Sequence, residues 1–395
     1  MTKRSHGEGS ILQRGDSFRL RYRIRGQRHS VTCRGTLAEA RKKLRELLKS
    51  GDDGTHVDPS RMTVAQWVEH WLSIGAPNRK KKTVGRRTQQ RYGEFLRVHI
   101  VPALGSKQLQ QLHPTDIDNL YDQLAGRLAA NTHHLGHSVF NACLNAAKRK
   151  GLLLSNPMER CEKIPSPVEA DHGLVLDRDQ IAALVQDFKD SALHPIIALA
   201  AYTGARRNEI LALRWTDLDP VAKTLRIERS LEETPGAEGW QRRFKEPKRA
   251  KHKRTIQIDD ALVQVLLSVR EGHQRLIAGV PDGIAVDLSL IRLPEGALMF
   301  PSFFRREFDL TQPRDGSGLS KPFERRARKM FPGICFHDLR GSHETALLDA
   351  GVPVHVVAAR CGHDAAVLLR SYAKRTKKAD TSAAAVIAAM SKGVL

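Results

Sequence analysis

The sequence predicts a multidomain protein that is mainly α-helical and contains small β-sheets. Its 395 residues are enough for two or three domains of ordinary size. Between residues 62 and 160, apolar residues recur at helical spacing, whereas only a few short segments of the chain alternate in the manner of strands. Hydrophobic residues make up 41% of the chain and aromatic residues only 5%, so each domain is expected to have an aliphatic core.

Residues 1–58 are predicted to form a small sheet with one helix. Apolar residues alternate with arginines from residue 17 to residue 25, which is the period-two pattern of a half-buried strand. A second strand is expected over 28–33 and a helix over 36–50. The apolar face of the first strand holds Phe18, Leu20, Tyr22 and Ile24, and its other face holds Arg19, Arg21, Arg23 and Arg25.

The arginine face of this strand is a candidate DNA-binding surface. Residues 1–50 contain 14 Lys or Arg against 4 Asp or Glu. Four arginines on one strand face repel one another unless an anion lies between them. A solubilising edge is the alternative interpretation, and we expect contact with DNA.

Two linkers are predicted, over 51–61 and 161–175, because these stretches contain turn-forming residues and little periodicity. The block between them, residues 62–160, is predicted to be a compact helical domain. A basic loop at 78–87 separates its first two helices. Candidate DNA contacts in this loop are Lys80, Lys81, Arg86 and Arg87.

The charge balance predicts a polyanionic partner. Lys and Arg number 65 and Asp and Glu 43, which gives a net charge of +22. Nucleic acid is the first candidate and an anionic membrane surface the second. No apolar stretch approaches the roughly 20 residues of a membrane span, and the sequence MTKRSHGEGS carries no signal-peptide pattern. We therefore expect a soluble, intracellular protein.

The cysteines argue against two kinds of stabilising site. Five cysteines are scattered along the chain, an odd number with no Cys-x-x-Cys pair. This pattern argues against a disulfide framework and against a zinc ribbon or finger. A reducing cytoplasm is the expected environment.

The first segment of chemical interest in residues 174–395 is TGARRNEILALRW, which begins at Thr203. Thr203 is expected to cap a helix and to place Arg206 in its first turn. The free N–H groups and the positive end of the helix dipole would then make this turn a phosphate site. An ordinary amphipathic helix is the alternative.

Three further segments carry clusters of polar residues. Residues 241–254 contain eight basic residues and one acid between strand-like stretches, and so predict a basic hairpin tip. His337 and Arg340 lie three positions apart and share a helix face, from which both could reach one anion. Arg360-Cys-Gly-His363 is followed by Tyr372 nine residues later. Taken singly, each segment has a more ordinary explanation: the first as a solvated charge run, the second as a chance pair, and the tyrosine as a core residue.

In combination, these segments resemble the tyrosine recombinase (phage integrase) family. The matches are TGAR-RNEILALRW, PKRAKHKRTIQI, HDLR, CGH and the tyrosine downstream, and they cover most of residues 174–380. Residues 62–160 are similar to the family's core-binding domain, including HIVPALG and the Asn-Pro at 156–157. Residues 9–50 resemble the N-terminal arm-binding domain. The catalytic residues that the resemblance implies are Arg206, Lys248, His337, Arg340, His363 and Tyr372.

The resemblance implies three domains. The first, over 1–58, is an arm-type DNA-binding domain with a three-stranded sheet and a helix. The second, over 62–160, is a helical, SAM-like core-binding domain, and the third, over 174–395, is an α+β catalytic domain.

Some positions depart from the family pattern without removing a polar catalytic atom; these are Ala205, Asn208, Arg249 and Cys361. Two roles have alternatives next to them, because Arg207 could replace Arg206 and Lys251 could replace Lys248.

The implied reaction is breakage and rejoining of DNA through a 3′-phosphotyrosyl intermediate. Tyr372 would be the nucleophile, and two arginines would clamp the phosphate. Lys248 would protonate the leaving 5′ oxygen, His337 would help to remove the tyrosine proton, and His363 would bond a phosphate oxygen. Glu209, one turn after Arg206, is expected to orient this segment by pairing with a basic neighbour. The resemblance implies no cofactor and no metal.

The implied partner is double-stranded DNA of the attachment-site type, bound by a homotetramer. A directionality factor (an excisionase) and a host DNA-bending protein are possible further partners, and no membrane is expected. The expected setting is the cytoplasm of a bacterial host, at the nucleoid, where a phage or mobile element is integrated or excised.

Arg249 and Lys251 are further candidate DNA contacts, and bases would be read from 78–97 and 132–150. A type IB topoisomerase and a catalytically inactive DNA-binding or architectural protein are the alternatives.

Overall fold

The computed structural model describes residues 9–24, 26–53, 57–78, 80, 82–167, 173–236, 239–246, 253–302 and 309–375. The chain divides into two compact units, Met1–Glu169 and Ala170–Leu395. The predicted fold class, mainly α with small β-sheets, is confirmed. Along the described ranges, no helix is both long and apolar enough to span a bilayer. The predicted site residues that lie outside the described residues are Arg25, Lys81, Lys248, Arg249 and Lys251.

The first unit begins with an antiparallel sheet in the order β1-β2-β3. Its strands are β1 (Ser10–Arg14), β2 (Ser17–Ile24) and β3 (Gln27–Arg34), and helix α1 (Leu37–Asp52) follows. The helix starts at a capping box, in which Thr36 and Glu39 satisfy each other's backbone N–H groups. The alternating pattern predicts β2 correctly because its apolar residues face α1. The small core between sheet and helix consists of Phe18, Leu20, Tyr22, Cys33, Ala40 and Leu44.

The rest of the first unit is helical. Its helices are α2 (Val64–Ser73), α3 (Arg86–Phe95), α4 (Val101–Leu104), α5 (Pro114–Leu124) and α6 (Ala130–Arg149). A π-helical turn at Leu96–Ile100 joins α3 to α4. Pro102 lies just after this wide turn; a proline has no N–H for the helical ladder, and its ring crowds the preceding turn. Short 3₁₀ turns occur at Leu109–Gln111 and Pro157–Arg160.

A close contact fixes the crossing of α3 and α6, which include residues predicted to read bases. The ring of Phe95 lies directly over Gly136, where an added Cβ would come within 1.8 Å of the Phe95 Cζ atom. Only glycine therefore allows this approach. Both helices also contribute to one apolar core that includes the buried indoles of Trp67 and Trp71.

The second unit combines helices with two small antiparallel sheets. Its helices are α7 (Arg178–Asp187), α8 (His194–Thr203), α9 (Arg207–Ile210), α10 (Asp260–Ala278), α11 (Gly316–Ala327), α12 (Asp338–Asp349), α13 (Val354–Cys361) and α14 (Ala365–Arg375). Its strands are β4 (Leu218–Asp219), β5 (Thr224–Ile227), β6 (Ser230–Gly236), β7 (Gly239–Lys245) and β8 (Arg254–Gln257). One sheet has the order β4-β5-β8, and β6 pairs with β7. A 3₁₀ turn at Trp215–Asp217 precedes β4.

The expectation that Thr203 caps a helix with Arg206 in its first turn is wrong. Thr203 ends α8, and its hydroxyl bonds back to the carbonyl of Leu199. Gly204 then takes a left-handed conformation and ends the helix. Arg206 is instead the N-cap residue of the short helix α9, with extended backbone angles.

Candidate active site

Arg206 is held at the start of α9 by a buried carboxylate. Its Nη1 lies 2.8 Å from Oε1 of Glu209, and its backbone N–H donates to Oε2 of the same residue at 2.9 Å. Its Nη2 donates to the carbonyl of Gly362 at 3.1 Å. About a third of the Arg206 side chain remains exposed (33%), so the guanidinium can still meet an external anion.

Arg340 lies in the first turn of α12 and is only 2% exposed. Its Nη1 donates to the carbonyl of Gly204 at 2.6 Å and its Nη2 to that of Cys361 at 2.7 Å. Glu344, one turn later, puts Oε1 2.9 Å from Nε. Burial lowers the pKa of Arg340 to about 10, against the opposing charge of Glu344, so the side chain stays cationic at neutral pH. Each Nη keeps one more N–H that can donate to another acceptor.

The hydrogen bond between Arg340 and His363 defines the state of the imidazole. Nε of Arg340 donates to Nε2 of His363 at 3.1 Å, so that nitrogen must be unprotonated. Burial, reinforced by Arg340, Arg206 and other cations, lowers the pKa of His363 to about 3. The neutral ring therefore carries its proton on Nδ1. Among the described residues, nothing accepts a hydrogen bond from this buried Nδ1.

A second arginine shares the carboxylate that holds Arg206. Arg254, the first residue of β8, places Nη2 2.8 Å from Oε2 and Nη1 3.3 Å from Oε1 of Glu209. Burial alone would raise the pKa of Glu209, but the hydrogen bonds and charges of Arg254 and Arg206 lower it to about 2. Glu209 is therefore ionised and fully engaged. Glu209 was expected to pair with one basic neighbour, and in the structure it pairs with two, Arg206 and Arg254.

His337 stands at the N-terminus of the helix that carries Arg340. It is the N-cap residue of α12 and is exposed. The backbone N–H of Arg340 donates to the carbonyl of His337 at 3.1 Å, so the two residues share one turn. His337 and Arg340 thus lie in the first turn of α12, where His337 is exposed and Arg340 is buried.

The structure does not bring Tyr372 to this group. Tyr372 lies in α14, and its hydroxyl donates to Oδ1 of Asp349 at 2.8 Å. Asp349 is the last residue of α12, whereas Arg340 is in its first turn. Nine residues at the α-helical rise separate the two by about 13 Å along the axis. The tyrosine is therefore held at the opposite end of α12 from the two arginines.

Arg207, the alternative to Arg206, faces a different element. Its Nη1 donates to the carbonyl of Gly316 at 3.2 Å and to the hydroxyl of Ser320 at 2.9 Å. Both partners belong to α11. Arg207 therefore fastens α9 to α11, while Arg206 lies beside Gly362 and His363.

The arginines of β2 form one row on the sheet face opposite α1. Arg21 and Arg23 are exposed, and Arg19 is half-buried. Arg23 is paired across the sheet with Arg28 of β3, which extends the row by one more cation. Nη2 of Arg19 lies 3.4 Å from the hydroxyl of Ser30. The face is thus basic and carries short polar side chains beside the arginines.

The described cations of the predicted basic loop are all exposed. Lys80 lies in the loop before α3, and Arg86 and Arg87 form the first turn of that helix. The N-cap of α3 is Gly85, whose lack of a side chain leaves the first N–H groups without a side-chain cap. These side chains lie in the first unit, as do the arginines of β2.

Sequence reasoning missed three residues of the site. Arg254 was not singled out because it is one of eight cations in the basic run. The signal was its spacing of two from the buried Ile256, which puts both on the same face of β8. Glu344 follows Arg340 by four residues, which is helical pairing distance. Asp349 has no sequence signal, because its contact with Tyr372 depends on how α14 packs. Within the described ranges, no group of three His, Cys, Asp or Glu side chains could hold a metal ion.

Comparisons with known proteins agree on one family. The sequence model of the phage integrase family matches residues 175–379, more than half of the chain. The model of the phage integrase N-terminal SAM-like domain matches residues 63–125. An integrase of Streptomyces ambofaciens is 28% identical over 362 residues, 89% of this chain and 86% of the relative. A XerC-like tyrosine recombinase of Caldanaerobacter subterraneus subsp. tengcongensis is 25% identical over 355 residues, 83% of each chain.

Solved structures share the fold at low sequence identity. The Tn1549 transposon integrase in complex with a circular intermediate DNA gives a TM-score of 0.62 at 16% identity, over 82% of this chain and 99% of that one. A lambda integrase dimer bound to a COC′ core site gives a TM-score of 0.58 at 15% identity, over 95% of this chain and 98% of that one. The likeness extends over the large majority of both chains.

Proposed function

This chain belongs to the phage integrase family of tyrosine recombinases, and we propose that it cuts and rejoins DNA at specific sites through a covalent 3′-phosphotyrosyl link to Tyr372. One observation carries the proposal. Arg206, Arg340 and His363 come from three distant segments and meet around the carbonyls of Gly204, Cys361 and Gly362. Such a cluster of fixed donors suits one phosphate.

The arginines supply the charge that phosphoryl transfer needs. A guanidinium presents several N–H donors in one plane and matches the non-bridging oxygens of a phosphate. Arg340 is fixed by carbonyls and Arg206 by Glu209, so neither has to reorganise when charge develops in the transition state. The N–H that His363 carries on Nδ1 is a suitable third donor to a phosphate oxygen.

Tyr372 and two further residues complete the proposed chemistry. The tyrosine oxygen would attack the phosphorus while His337, at the exposed start of α12, helps to remove its proton. Lys248, in the basic segment between β7 and β8, would give a proton to the departing 5′ oxygen. Tyr372 must leave Asp349 to reach the phosphate, so DNA binding would be accompanied by movement of α14.

Rejoining follows from the same intermediate. The phosphotyrosyl bond keeps the energy of the broken phosphodiester, and a 5′-hydroxyl of another strand can therefore attack it in the reverse reaction. The residues above provide nucleophile, charge and proton transfer by themselves. We accordingly propose a reaction that needs no nucleotide and no cofactor.

DNA is the proposed substrate and partner. The net charge of +22 and the basic face of β2 support binding to phosphates. The integrases of similar fold are described in complex with DNA. Residues 1–58 would bind distal arm-type sites, and Lys80, Arg86 and Arg87 would contact the core site. A homotetramer, an excisionase and a host bending protein are part of the proposal for integration and excision of a phage or other mobile element.

Plasmids with one or two attachment sites test the proposed function against its alternatives. A recombinase exchanges strands between two sites and yields products of defined size on the two-site plasmid alone. A type IB topoisomerase would relax both plasmids equally, and an inactive DNA-binding protein would change neither. Equal relaxation, or no strand exchange with the cognate sites, would contradict the proposal.

A further inference from the structure

We propose that Arg254 is a positioning residue for the phosphate clamp formed by Arg206 and Arg340. It acts through Glu209 on Arg206, and through the C-terminal end of α13 on the backbone next to His363. This role rests on the proposed function. Only 6% of the Arg254 side chain is accessible, and it bonds to Glu209 and to the carbonyl of Arg360. These bonds give Arg254 a route to Arg206 and to the backbone before His363.

The first link joins Arg254 to Arg206. Arg254 binds both carboxylate oxygens of Glu209, at 2.8 and 3.3 Å. Those same oxygens hold the backbone N–H and Nη1 of Arg206. Arg254 thus fixes the plane of the Glu209 carboxylate from one side. The remaining lone pairs of that carboxylate are then directed at Arg206 on the other side. Without Arg254, only the backbone N–H and Nη1 of Arg206 would hold the buried carboxylate.

The second link joins Arg254 to the last turn of α13. Its Nε donates to the carbonyl of Arg360 at 2.7 Å. Gly362 has a φ of +62° and packs so closely that an added Cβ would lie 3.0 Å from Nη1 of Arg254. The carbonyl of Gly362 accepts from Arg206 and that of Cys361 from Arg340. One buried guanidinium thus connects β8 with the backbone that both clamp arginines use.

Arg254 also lies at the start of a strand. It is the first residue of β8, directly after the basic segment that contains Lys248. Register of β8 against β5 is set by four residue pairs, of which Ile227 with Arg254 is the last. Arg254 therefore joins the start of β8 to Glu209 and to the end of α13.

Covalent trapping on a nicked DNA, in which the cleaved end is lost, measures the role. Arg254→Gln should slow formation of the Tyr372 adduct by about 10- to 100-fold, in the range of a clamp group displaced by about 1 Å. Its affinity for the same DNA in a gel shift should stay within about threefold of wild type, because the residue is buried. Arg254→Lys should be slowed less, since an ammonium keeps the charge but cannot bind Glu209 bidentately.

A scissile methylphosphonate separates positioning from folding. Its methyl group replaces one charged oxygen, so the reaction depends less on the guanidinium clamp. The slowing by Arg254→Gln, relative to wild type, should shrink to about threefold on this substrate, as it should for Arg206→Ala. A protein that is merely less folded would be equally impaired on both substrates.

Arg275→Gln is the matched control. Arg275 also pairs with a carboxylate, that of Glu271, and donates to a backbone carbonyl, that of Ile284, but it lies in α10 away from the clamp. It should leave adduct formation unchanged. Glu209→Gln combined with Arg254→Gln removes the buried carboxylate charge that Arg254→Gln leaves with Arg206 as its remaining arginine partner. This double variant guards against misfolding and should show the same methylphosphonate rescue.

Three results would overturn the role. Normal adduct formation by Arg254→Gln would show that the clamp does not need it. Equal slowing of the Arg254 variants on both substrates, with Arg206→Ala rescued, would reduce Arg254 to a folding residue. A wild-type protein that forms no adduct would overturn the proposed function itself, and the role with it.

Discussion

The hydroxyl of Tyr372 donates a 2.8 Å hydrogen bond to Asp349, at the end of α12 remote from Arg340. A tyrosine in this position cannot attack a phosphate that Arg340 holds. The bond is exposed, and such hydrogen bonds contribute only about 0.5–1.5 kcal/mol net. It can therefore bias the position of α14 without preventing cleavage.

Removal of this acceptor should accelerate the first cleavage. We expect Asp349→Ala to raise the rate of adduct formation on a nicked substrate by about 2- to 10-fold, which is the population change that the hydrogen bond energy allows. Asp349→Asn is the control, because its amide oxygen can still accept the bond, and it should stay near wild type. An Asp349→Ala protein that cleaves no faster than Asp349→Asn would show that the contact does not restrain the tyrosine.

The two adjacent arginines of α9 should behave differently. Arg206→Ala should slow cleavage by about 10²-fold or more, as for the loss of one donor to a developing negative charge. Arg207→Ala should cost about 1 kcal/mol of stability for each lost hydrogen bond to α11 and change cleavage only a few-fold. Single-turnover cleavage and thermal melts of both variants measure this. The reverse pattern would assign the clamp role to Arg207.

Stability of the second unit should fall as the pH drops below about 6.5. His343 donates from Nδ1 to the carbonyl of Ala201 and accepts at Nε2 from Arg360. Burial, reinforced by Arg360, lowers the pKa of His343 to about 4, and those of His273 and His363 are also lowered, to about 4 and 3. Since the unfolded chain binds protons below about 6.5 that the folded chain does not, each group removes up to about 1.4 kcal/mol per pH unit.

Substitution of one buried histidine tests the sign of this effect. Between pH 6.5 and pH 5.0, His343→Gln should lose about 2 kcal/mol less stability than wild type, whatever its stability at pH 7.5. His355→Gln, an exposed residue of α13, is the control and should follow the wild-type curve. Denaturant unfolding at the two pH values gives the difference. A wild-type protein that is equally stable at both would contradict the lowered pKa values.

The arginine row of β2 should act on salt dependence rather than on cleavage. Arg21→Gln with Arg23→Gln should lower the slope of log K against log salt by about 0.9 for each lost phosphate contact on DNA with distal sites. The control removes the same charge from the other side of the sheet, with Arg41→Gln and Lys42→Gln on α1. Cleavage of core-site DNA should be unchanged in both. Equal slopes for the two double variants would make the β2 row a solvated surface.

The periodicity of apolar residues was sufficient to predict an element wherever one face of that element is buried. The alternation in β2 is correct because Leu20 and Tyr22 pack on α1, and a one-residue slip would expose both. The helical block was likewise predictable from spacing alone. The position of Arg206 was not, because Gly204 ends α8 one residue before Ala205 and turns the chain. A Thr-Gly pair reads equally well as a helix start or a helix end.

The contacts within the candidate site could not be predicted from the sequence, because they join segments that are distant along the chain. The grouping of Arg206, Arg340 and His363 depends on backbone carbonyls at Gly204, Cys361 and Gly362, which carry no side-chain signal. The contact of Tyr372 with Asp349 depends on the packing of α14. These features appear only when distant segments are brought together. The catalytic roles of the six predicted residues stay predictions.

The most direct test of the account is covalent trapping with Tyr372→Phe. The wild-type protein should form a protein–DNA adduct on a nicked substrate, with the DNA joined to Tyr372 by a 3′-phosphate. The phenylalanine variant keeps the ring and loses only the nucleophilic oxygen, so it should bind the same DNA with unchanged affinity and form no adduct. An adduct with Tyr372→Phe, or none with the wild-type protein on its cognate site, would contradict the central claim.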